Sequence, residues 1–423
     1  MIRQGDRTVY NLDWVTVLIY FVLVFLGWFN IYAAVYDEEV SRSIFDLSLD
    51  SGKQLMFIGS SLLIIIGILN LDYKFYDSFG FAFYGLFVLI LIFVLLFGRE
   101  VAGSRSWFEI GSFRLQPSEF TKFATALAVA KYLGTPNVKF SQLKTQILSG
   151  IIIGVPMILV VLQGDTGTAM VYGSFIIVFF REGMSPMILV LGILGVLVFI
   201  LTLLVNQTVL IISLVVLGLI AIGLSIKSPK NIIGVIVGTI LVVGMVKSVD
   251  FVMTEVLKPH QQKRVLSLIN PSADPLGIGW NVTQSKIAIG SGGFFGKGFL
   301  EGTQTKFDFV PAQSTDFIFC TIGEEHGWVG SLILVGGFSF LLFRLIHLAE
   351  RQKSNFSRIY GYGVISVIFF HFAVNIAMTI GLFPVIGIPL PFFSYGGSSL
   401  WSFTILLFVF LKLDAHRMQV LMR

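Results

Sequence analysis

Long apolar runs alternate with short polar segments along this chain. Twelve runs stand out, at 14–36, 54–71, 78–98, 117–134, 147–163, 166–182, 186–205, 207–226, 231–250, 326–347, 360–383 and 398–413. Each approaches the roughly 20 residues that cross a bilayer as a helix. Helix is the expected form, because an open strand edge would leave backbone groups unpaired in lipid. The pattern therefore predicts an all-α fold: a polytopic integral membrane protein with about 12 transmembrane helices, forming one transmembrane domain over residues 1–423. The runs at 117–134, 166–182 and 398–413 are short or polar for spans.

The longest interruption, 251–315, is polar and rich in turn chemistry. It carries Asp274-Pro275-Leu276-Gly277-Ile278-Gly279-Trp280, then Gln284-Ser285-Lys286, then Gly290, Gly292, Gly293, Gly296 and Gly298. It returns to apolar sequence through Thr315-Asp316-Phe317 and Gly323-Glu324-Glu325-His326-Gly327. A long loop with its own glycines and charges is functional or disordered. Trp280, Phe294, Phe295, Phe307 and Phe309 argue against disorder. The glycine cluster is no phosphate loop. Ser291 stands where the first glycine of that motif would be, and Gly298 replaces the Ser or Thr after Lys297.

Composition agrees with lipid as the solvent. The chain is 55% hydrophobic and 13% charged, against about 25% charged residues in soluble domains, and its mean hydropathy is +0.88. A single cysteine, Cys320, excludes an intrachain disulfide. The formal charge of +5 is spread out and makes no nucleic-acid patch. The first run, Trp14 to Tyr36, is too long for a signal-peptide core and lacks a small-residue cleavage site, so it is expected to be a retained span.

Basic residues orient the spans. With the N-terminus inside, the inner segments carry Arg3 and Arg7, Lys74, Lys139 and Lys144, Arg181, Lys227 and Lys230, Arg344 to Arg358, and Lys412 to Arg423. Both termini are then cytoplasmic, and 251–315 lies outside, where no ATP is available. Arg99, Arg105 and Arg114 break the rule. Either they bind an anion or Glu100 and Glu109 neutralise them.

Several residues carry candidate chemistry. Asp274 precedes Pro275, which bars it from a helix interior. It fits an Asx-type turn, or it is a working carboxylate beside Lys286 and Lys297, a set that suits an anionic lipid head group. Glu119 and Lys122 lie three apart on one face of the fourth span, after Pro117 at its first turn. Ionisable groups within a span face a cavity or a partner, and here they also read as neutralising each other. Asp165 either caps the sixth span or is a second outward carboxylate. Asp316, Glu324 and Glu325 fall where the long loop returns, near helix starts that favour acids. His371 reads as a satisfied interior histidine, and no Cys/His spacing suggests zinc. Pro384, Pro389 and Pro391, with Gly387, Gly396 and Gly397, break the chain between Phe383 and Ser399. Irregular backbone at membrane depth lines a cavity or is covered by protein. Ser394, Tyr395, Ser398 and Ser399 would be its polar lining.

These motifs converge. Pro117-Ser118-Glu119-Phe120-Thr121-Lys122, Gln163-Gly164-Asp165-Thr166-Gly167-Thr168-Ala169, Asp274-Pro275-Leu276-Gly277, Gln284-Ser285-Lys286, Thr315-Asp316-Phe317-Ile318-Phe319, Gly323-Glu324-Glu325-His326-Gly327 and Pro389-Leu390-Pro391-Phe392-Phe393-Ser394-Tyr395-Gly396-Gly397-Ser398-Ser399 together resemble the SEDS family (shape, elongation, division, sporulation). Order and spacing match over roughly residues 10–415. The stretches 285–293 and 302–305 look more like the family's elongation members than its division members.

The resemblance implies a peptidoglycan glycosyltransferase that polymerises lipid II on the outer face of the cytoplasmic (inner) membrane. It would work beside a class B penicillin-binding protein and other elongation-complex membrane proteins. The family's essential aspartate falls on Asp274, its intramembrane Glu and Lys on Glu119 and Lys122, and its second aspartate on Asp165. On this reading Asp274 is the general base, and Arg105, Gln284, Ser285, Lys286, Lys297 and Tyr395 bind substrate. Glu119, Lys122, Asp316 and Glu325 do structural or regulatory work. Asp165 is a ligand for a divalent cation, Mg or Mn, and no nucleotide takes part. A lipid II flippase and a non-catalytic scaffold are the alternatives. There are two departures from the family pattern. Gly164 stands where the family commonly has Pro, which predicts a looser turn before Asp165. The family's usual ten spans leave an extra pair within 186–250.

Overall fold

All twelve apolar runs are helical in the structure, a computed structural model. It describes residues 10–37, 42–101, 103–111, 113–224, 229–251, 253, 255, 262, 278–307 and 309–418. Among these, nine helices are long and apolar enough to cross a membrane. Backbone contacts divide the chain into two compact units, Met184–Trp280 and the remainder.

The larger unit begins with Trp14–Ala34 (α1), Asp50–Asn70 (α2), Tyr73–Ser78 (α3) and Gly80–Phe97 (α4). Asp13 caps α1 by accepting the Thr16 N–H at 3.0 Å. A small antiparallel sheet follows, Arg99–Val101 (β1), Ser104–Ile110 (β2) and Phe113–Leu115 (β3), with Glu109 opposite Arg114. Its turns use Gly103 and Gly111 at φ +81° and +65°, a left-handed backbone that glycine takes without strain. This small sheet is absent from the all-α expectation; two of its strands, β1 and β3, have only three residues each, too few to show an alternating pattern.

Pro117–Leu133 (α5) is short for a span but buried along most of its length, with Pro117 in its first turn. Leu143–Leu162 (α6) precedes a broken span. Thr166–Val171 (α7) passes through a 3₁₀ turn at Tyr172–Phe175 into Ile176–Arg181 (α8). The three short or polar runs are thus helices whose polarity is absorbed by protein rather than by lipid. The last of them is the most buried of the nine candidate spans among the described residues, with 83% of its apolar window inside the protein.

The smaller unit holds Pro186–Leu204 (α9), Gln207–Leu224 (α10) and Pro229–Phe251 (α11). This is where the sequence places the additional pair of spans. Its helices approach closely through small residues. A Cβ on Gly218 would lie 2.5 Å from Thr239 Oγ1, and Gln207 Nε2 donates to the Val246 carbonyl at 3.0 Å.

Beyond residue 278 the long polar segment is not the plain loop its sequence suggests. Ile278–Ser291 (α12) is a helix and Thr303–Lys306 (α13) a single turn. The buried stripe of α12 is Val282, Gln284, Ser285 and Ala288. Two of these four are polar, so the helical period is hidden from a hydrophobicity reading. Ile318–Glu325 (α14), Gly327–Glu350 (α15), Asn355–Thr379 (α16) and Gly397–Ala415 (α17) complete the unit. Tyr20 of α1 ties into this core. Its hydroxyl lies 2.9 Å from Thr404 Oγ1, and its ring meets Phe392 and Phe408 edge-on.

Basic residues assigned to the inner segments gather acidic partners at one end of this unit. Arg344 meets Asp13 at 2.6 Å, Arg181 meets Glu350 at 2.8 Å, Arg358 meets Glu182 at 3.0 Å, and Arg351 pairs with Asp414. The candidate site occupies the other end.

Candidate active site

The β3 strand delivers the chain to Gln116 and then to the first turn of α5. There Glu119 and Lys122, three residues apart, turn inward and pair at 2.9 Å, with both side chains almost fully buried. The pair has a third member on α16. Lys122 Nζ lies 2.9 Å from His371 Nε2, and His371 Nδ1 lies 3.1 Å from the Pro389 carbonyl. A carbonyl oxygen only accepts, so Nδ1 carries the proton and Nε2 presents its lone pair to the ammonium. The imidazole is therefore neutral in this arrangement. The Phe403 ring covers Lys122 from 5.0 Å.

His371 is thus satisfied, as its position in a span suggests, but its partner is a charge. The sequence signal for this face is the spacing of His371, Asn375 and Thr379. These polar residues recur every fourth position on an otherwise apolar helix, and all are fully buried.

Residues 383–396 form a strap between α16 and α17. Three prolines stop it from being helix, so its backbone groups must find partners elsewhere. Asn375 Nδ2 donates to the Ile388 carbonyl at 2.8 Å and to the Asp316 carbonyl at 2.9 Å. Ser394 Oγ accepts from the Leu390 N–H at 2.9 Å and donates to the Thr315 carbonyl at 2.6 Å. The Tyr395 N–H reaches the Ser314 carbonyl at 2.9 Å. The strap therefore fixes residues 314–316 and is itself covered by protein. Tyr395 is half-buried, with its ring beside Phe57.

Asp165 has two engagements. Oδ1 caps α7 through the Thr168 N–H at 3.0 Å, and Oδ2 accepts from Gln116 Nε2 at 2.8 Å. The Gln116 N–H in turn donates to Ser398 Oγ at 3.1 Å. Gln116 and Ser398 thus link Asp165 to the starts of α5 and α17, and Gln116 gave no signal in the sequence. The turn before Asp165 is not loose, contrary to expectation. Gly164 sits at φ +85°, where a proline cannot go, and a Cβ there would lie 2.9 Å from the Gly103 carbonyl. The Gly164 N–H donates to the Val161 carbonyl at 2.9 Å and the Arg105 N–H to the Gln163 carbonyl at 2.8 Å, and these hydrogen bonds pin it.

The basic candidates separate clearly. Arg99 and Arg114 both pair with Glu109, Arg114 at 3.1 Å. Arg105 is exposed and makes no ion pair among the described residues. Of Gln284, Ser285 and Lys286 on α12, only Lys286 is exposed. Gln284 is buried, and Ser285 Oγ donates to the Thr379 carbonyl at 2.9 Å, so Ser285 packs helices instead of facing a ligand. Lys286 forms no ion pair among the described residues, and its chain lies against Gly381. Lys297 is not open either, since its ammonium meets Glu324 and Thr303, each at 2.7 Å.

Glu324 and Glu325 end α14 against the glycine cluster. A Cβ on Gly292 would come within 2.0 Å of the Gly323 carbonyl, and one on Gly296 within 2.1 Å of the Glu325 carbonyl. Only glycine permits this backbone-on-backbone packing. Burial works to raise the Glu324 carboxyl. The Gln304 and Thr305 amides and Lys297 outweigh it and hold the group below its usual range. Glu325 has no such set. Burial pushes its carboxyl up to about 8, opposed by the Leu300 amide and aided by the Glu324 charge. Asp274 lies outside the described residues. Among the described residues no three His, Cys, Asp or Glu side chains converge as a metal cluster.

The fold and the placement of these motifs define a multi-pass membrane protein with one elaborated end. A sequence model of the FtsW, RodA and SpoVE family, described as Cell cycle protein, matches residues 13–215 and 186–419. The peptidoglycan glycosyltransferase RodA of Treponema pallidum is 34% identical over 97% of this chain and 99% of its own length. The peptidoglycan glycosyltransferase MrdB of Escherichia coli K12 is 33% identical over 81% of this chain and 80% of its own. A solved structure described as showing structural coordination of polymerization and crosslinking by a peptidoglycan synthase complex contains a chain with TM-score 0.71 and 26% identity, covering 96% of this chain and 99% of that one. The crystal structure of Thermus thermophilus RodA, at TM-score 0.62 and 24% identity over 96% and 97%, shares the fold. The chain belongs to the FtsW/RodA/SpoVE (SEDS) family and is a membrane-embedded peptidoglycan glycosyltransferase of the elongation type.

The buried pair predicts a sign. Removing one charge strands the other in an apolar interior. Glu119→Gln and Lys122→Met are each expected to lower the Tm of detergent-extracted protein by more than the double variant does. A double variant at least as unstable as the worse single one rejects mutual neutralisation.

Glu325 predicts a pH dependence. A carboxyl whose folded pKa is raised holds its proton more tightly when folded, so its stabilising contribution is complete below the usual value of 4.5 and is lost as pH rises through about 8. Glu325→Gln should flatten the fall in Tm between pH 5 and pH 9. An unchanged slope in that variant removes Glu325 as the cause.

Proposed function

We propose that this chain polymerises lipid II into glycan strands during cell-wall elongation, with residues 251–315 outside the inner membrane and both termini in the cytoplasm. The observation that supports this most directly is the end-to-end match to glycosyltransferase relatives. Among the basic residues singled out from the sequence as anion-binding candidates, Arg105 and Lys286 have no ion-pair partner among the described residues.

Glycosyl transfer needs an acceptor hydroxyl deprotonated as it attacks the anomeric carbon, and a carboxylate within hydrogen-bond reach can take the proton. Asp274 is that base on this reading. The leaving group is a polyprenyl diphosphate, whose charge must be neutralised. Among the described candidates, Arg105 and Lys286 are exposed and without ion pairs, and so available to it. Gln284, Ser285 and Lys297 act indirectly, by fixing α12 and the glycine cluster. Tyr395 and Asp316 are held at this end by the strap. Asp165 is the proposed single protein ligand of a divalent cation, Mg or Mn, through the lone pairs left on its two hydrogen-bonded oxygens, since such ions keep waters and phosphate oxygens around one or two carboxylates. When bound, the cation would neutralise diphosphate charge. Glu119 and Lys122 do structural work in this scheme. A class B penicillin-binding protein and other elongation-complex membrane proteins are the proposed partners.

With purified protein and labelled lipid II, Asp274→Asn is expected to reduce polymerisation by about 10²-fold or more. Turnover near the wild-type rate would remove Asp274 as the base, and scrambling in vesicles without polymer would favour a flippase.

Chelation of divalent ions is expected to stop polymerisation, and Mg or Mn to restore it. Activity unchanged after exhaustive chelation means that Arg105 and Lys286 suffice.

A further inference from the structure

We infer that His371 is a positioning residue for glycosyl transfer, holding the strap 383–396 in register through the Pro389 carbonyl while it supports the Lys122 ammonium. The inference rests on the glycosyltransferase reading for its kinetic consequence, but its structural core does not.

The geometry carries it. His371 is fully buried, and its two nitrogens have different partners on different elements. Nε2 lies 2.9 Å from Lys122 Nζ on α5, and Nδ1 lies 3.1 Å from the Pro389 carbonyl on the strap. The Phe403 ring meets the imidazole edge-on at 4.9 Å and restricts its tilt. One tautomer satisfies both contacts, so the ring acts as a fixed spacer between a buried charge and a backbone with no helical support of its own.

What the strap holds gives the spacer a role in the reaction. From Pro389 the chain runs through Leu390 to Ser394, which bonds the Thr315 carbonyl, and on to Tyr395, which bonds the Ser314 carbonyl. Asn375, one turn beyond His371 on α16, clamps the same strap at Ile388 and reaches Asp316. A shift of the Pro389 carbonyl therefore moves Tyr395 and the 314–316 segment at the outward end. His371 touches no substrate on this account and acts through the strap.

The two contacts separate by substitution. The amide of Asn stands at the place of Nδ1, and that of Gln reaches the place of Nε2. His371→Asn therefore keeps the Pro389 contact, His371→Gln keeps the Lys122 contact, and His371→Leu keeps neither. Hydrogen exchange of the strap amides in the full-length protein is the first readout. We expect exchange in 383–396 to quicken by about tenfold in the Leu and Gln variants, as loss of one buried hydrogen bond implies, and to stay near wild type in Asn. With lipid II as substrate, KM should rise by about tenfold in Leu and Gln, a misplacement effect, and recover in Asn. A purely structural histidine would instead lower the active fraction, reducing kcat at constant KM. If the Leu variant does not fold, the Asn and Gln pair still decides. Equal strap exchange in Asn and Gln, or an unchanged KM in both, overturns the inference. A wild-type chain that makes no polymer overturns the glycosyltransferase reading and leaves the exchange result standing.

Discussion

The charge on Lys122 is the constraint around which the larger unit is arranged. An ammonium removed from water into an apolar bundle is costly by several kcal/mol unless it is paired and hydrogen-bonded. Here Glu119 takes one side, His371 a second and the Phe403 ring a third. Each partner comes with a structural requirement. Glu119 needs α5 to start at Pro117, His371 needs α16 to pass at the right height, and Phe403 needs α17 to pack against both. Truncating any of these elements exposes a charge rather than merely a cavity, which is why a short, polar span can be among the most buried.

Backbone at membrane depth obeys the same accounting. The strap cannot bond to itself as a helix, so side chains of α16 and α2 serve it: His371 and Asn375 from one side, and Gln54, which accepts the Gly396 N–H at 3.1 Å, from the other. The glycine cluster likewise packs onto 323–327 with carbonyl contacts too close for any Cβ. Both devices leave irregular segments rigid without exposing polar groups to lipid.

Much of this was legible in the sequence, and the parts that were not share a cause. Apolar runs located all nine described helices that are long and apolar enough to cross a membrane, because burial in lipid demands little more than length and hydrophobicity. Glu119 and Lys122 were legible as a pair from their spacing. The third partner was not, because His371 meets Lys122 only through the packing of α5 on α16, a contact 249 residues apart in the chain. Helix α12 was hidden because Gln284 and Ser285 occupy its buried face. The commitment of Lys297 to Glu324 was hidden likewise, since nothing local joins residues 27 apart. Local rules read local structure, and the site is made of long-range pairs.

Those long-range pairs narrow the electrostatics of the candidate site. A cation already holding a carboxylate offers an incoming anion little, because the existing bond must be broken first and the freed carboxylate then repels the newcomer. Arg99 and Arg114 share Glu109, Lys297 holds a fully buried Glu324, and Lys122 lies beneath the surface with Glu119. Of the basic candidates, Arg105 and Lys286 have no ion pair among the described residues. Arg105 projects from a sheet whose backbone is tied to the turn before Asp165. Lys286 projects from a helix whose neighbour Ser285 is tied to the end of α16. Both cations are therefore carried on elements fixed by buried bonds. Their backbone anchors are settled during folding, while the exposed side chains themselves keep rotamer freedom that an incoming anion would have to restrict.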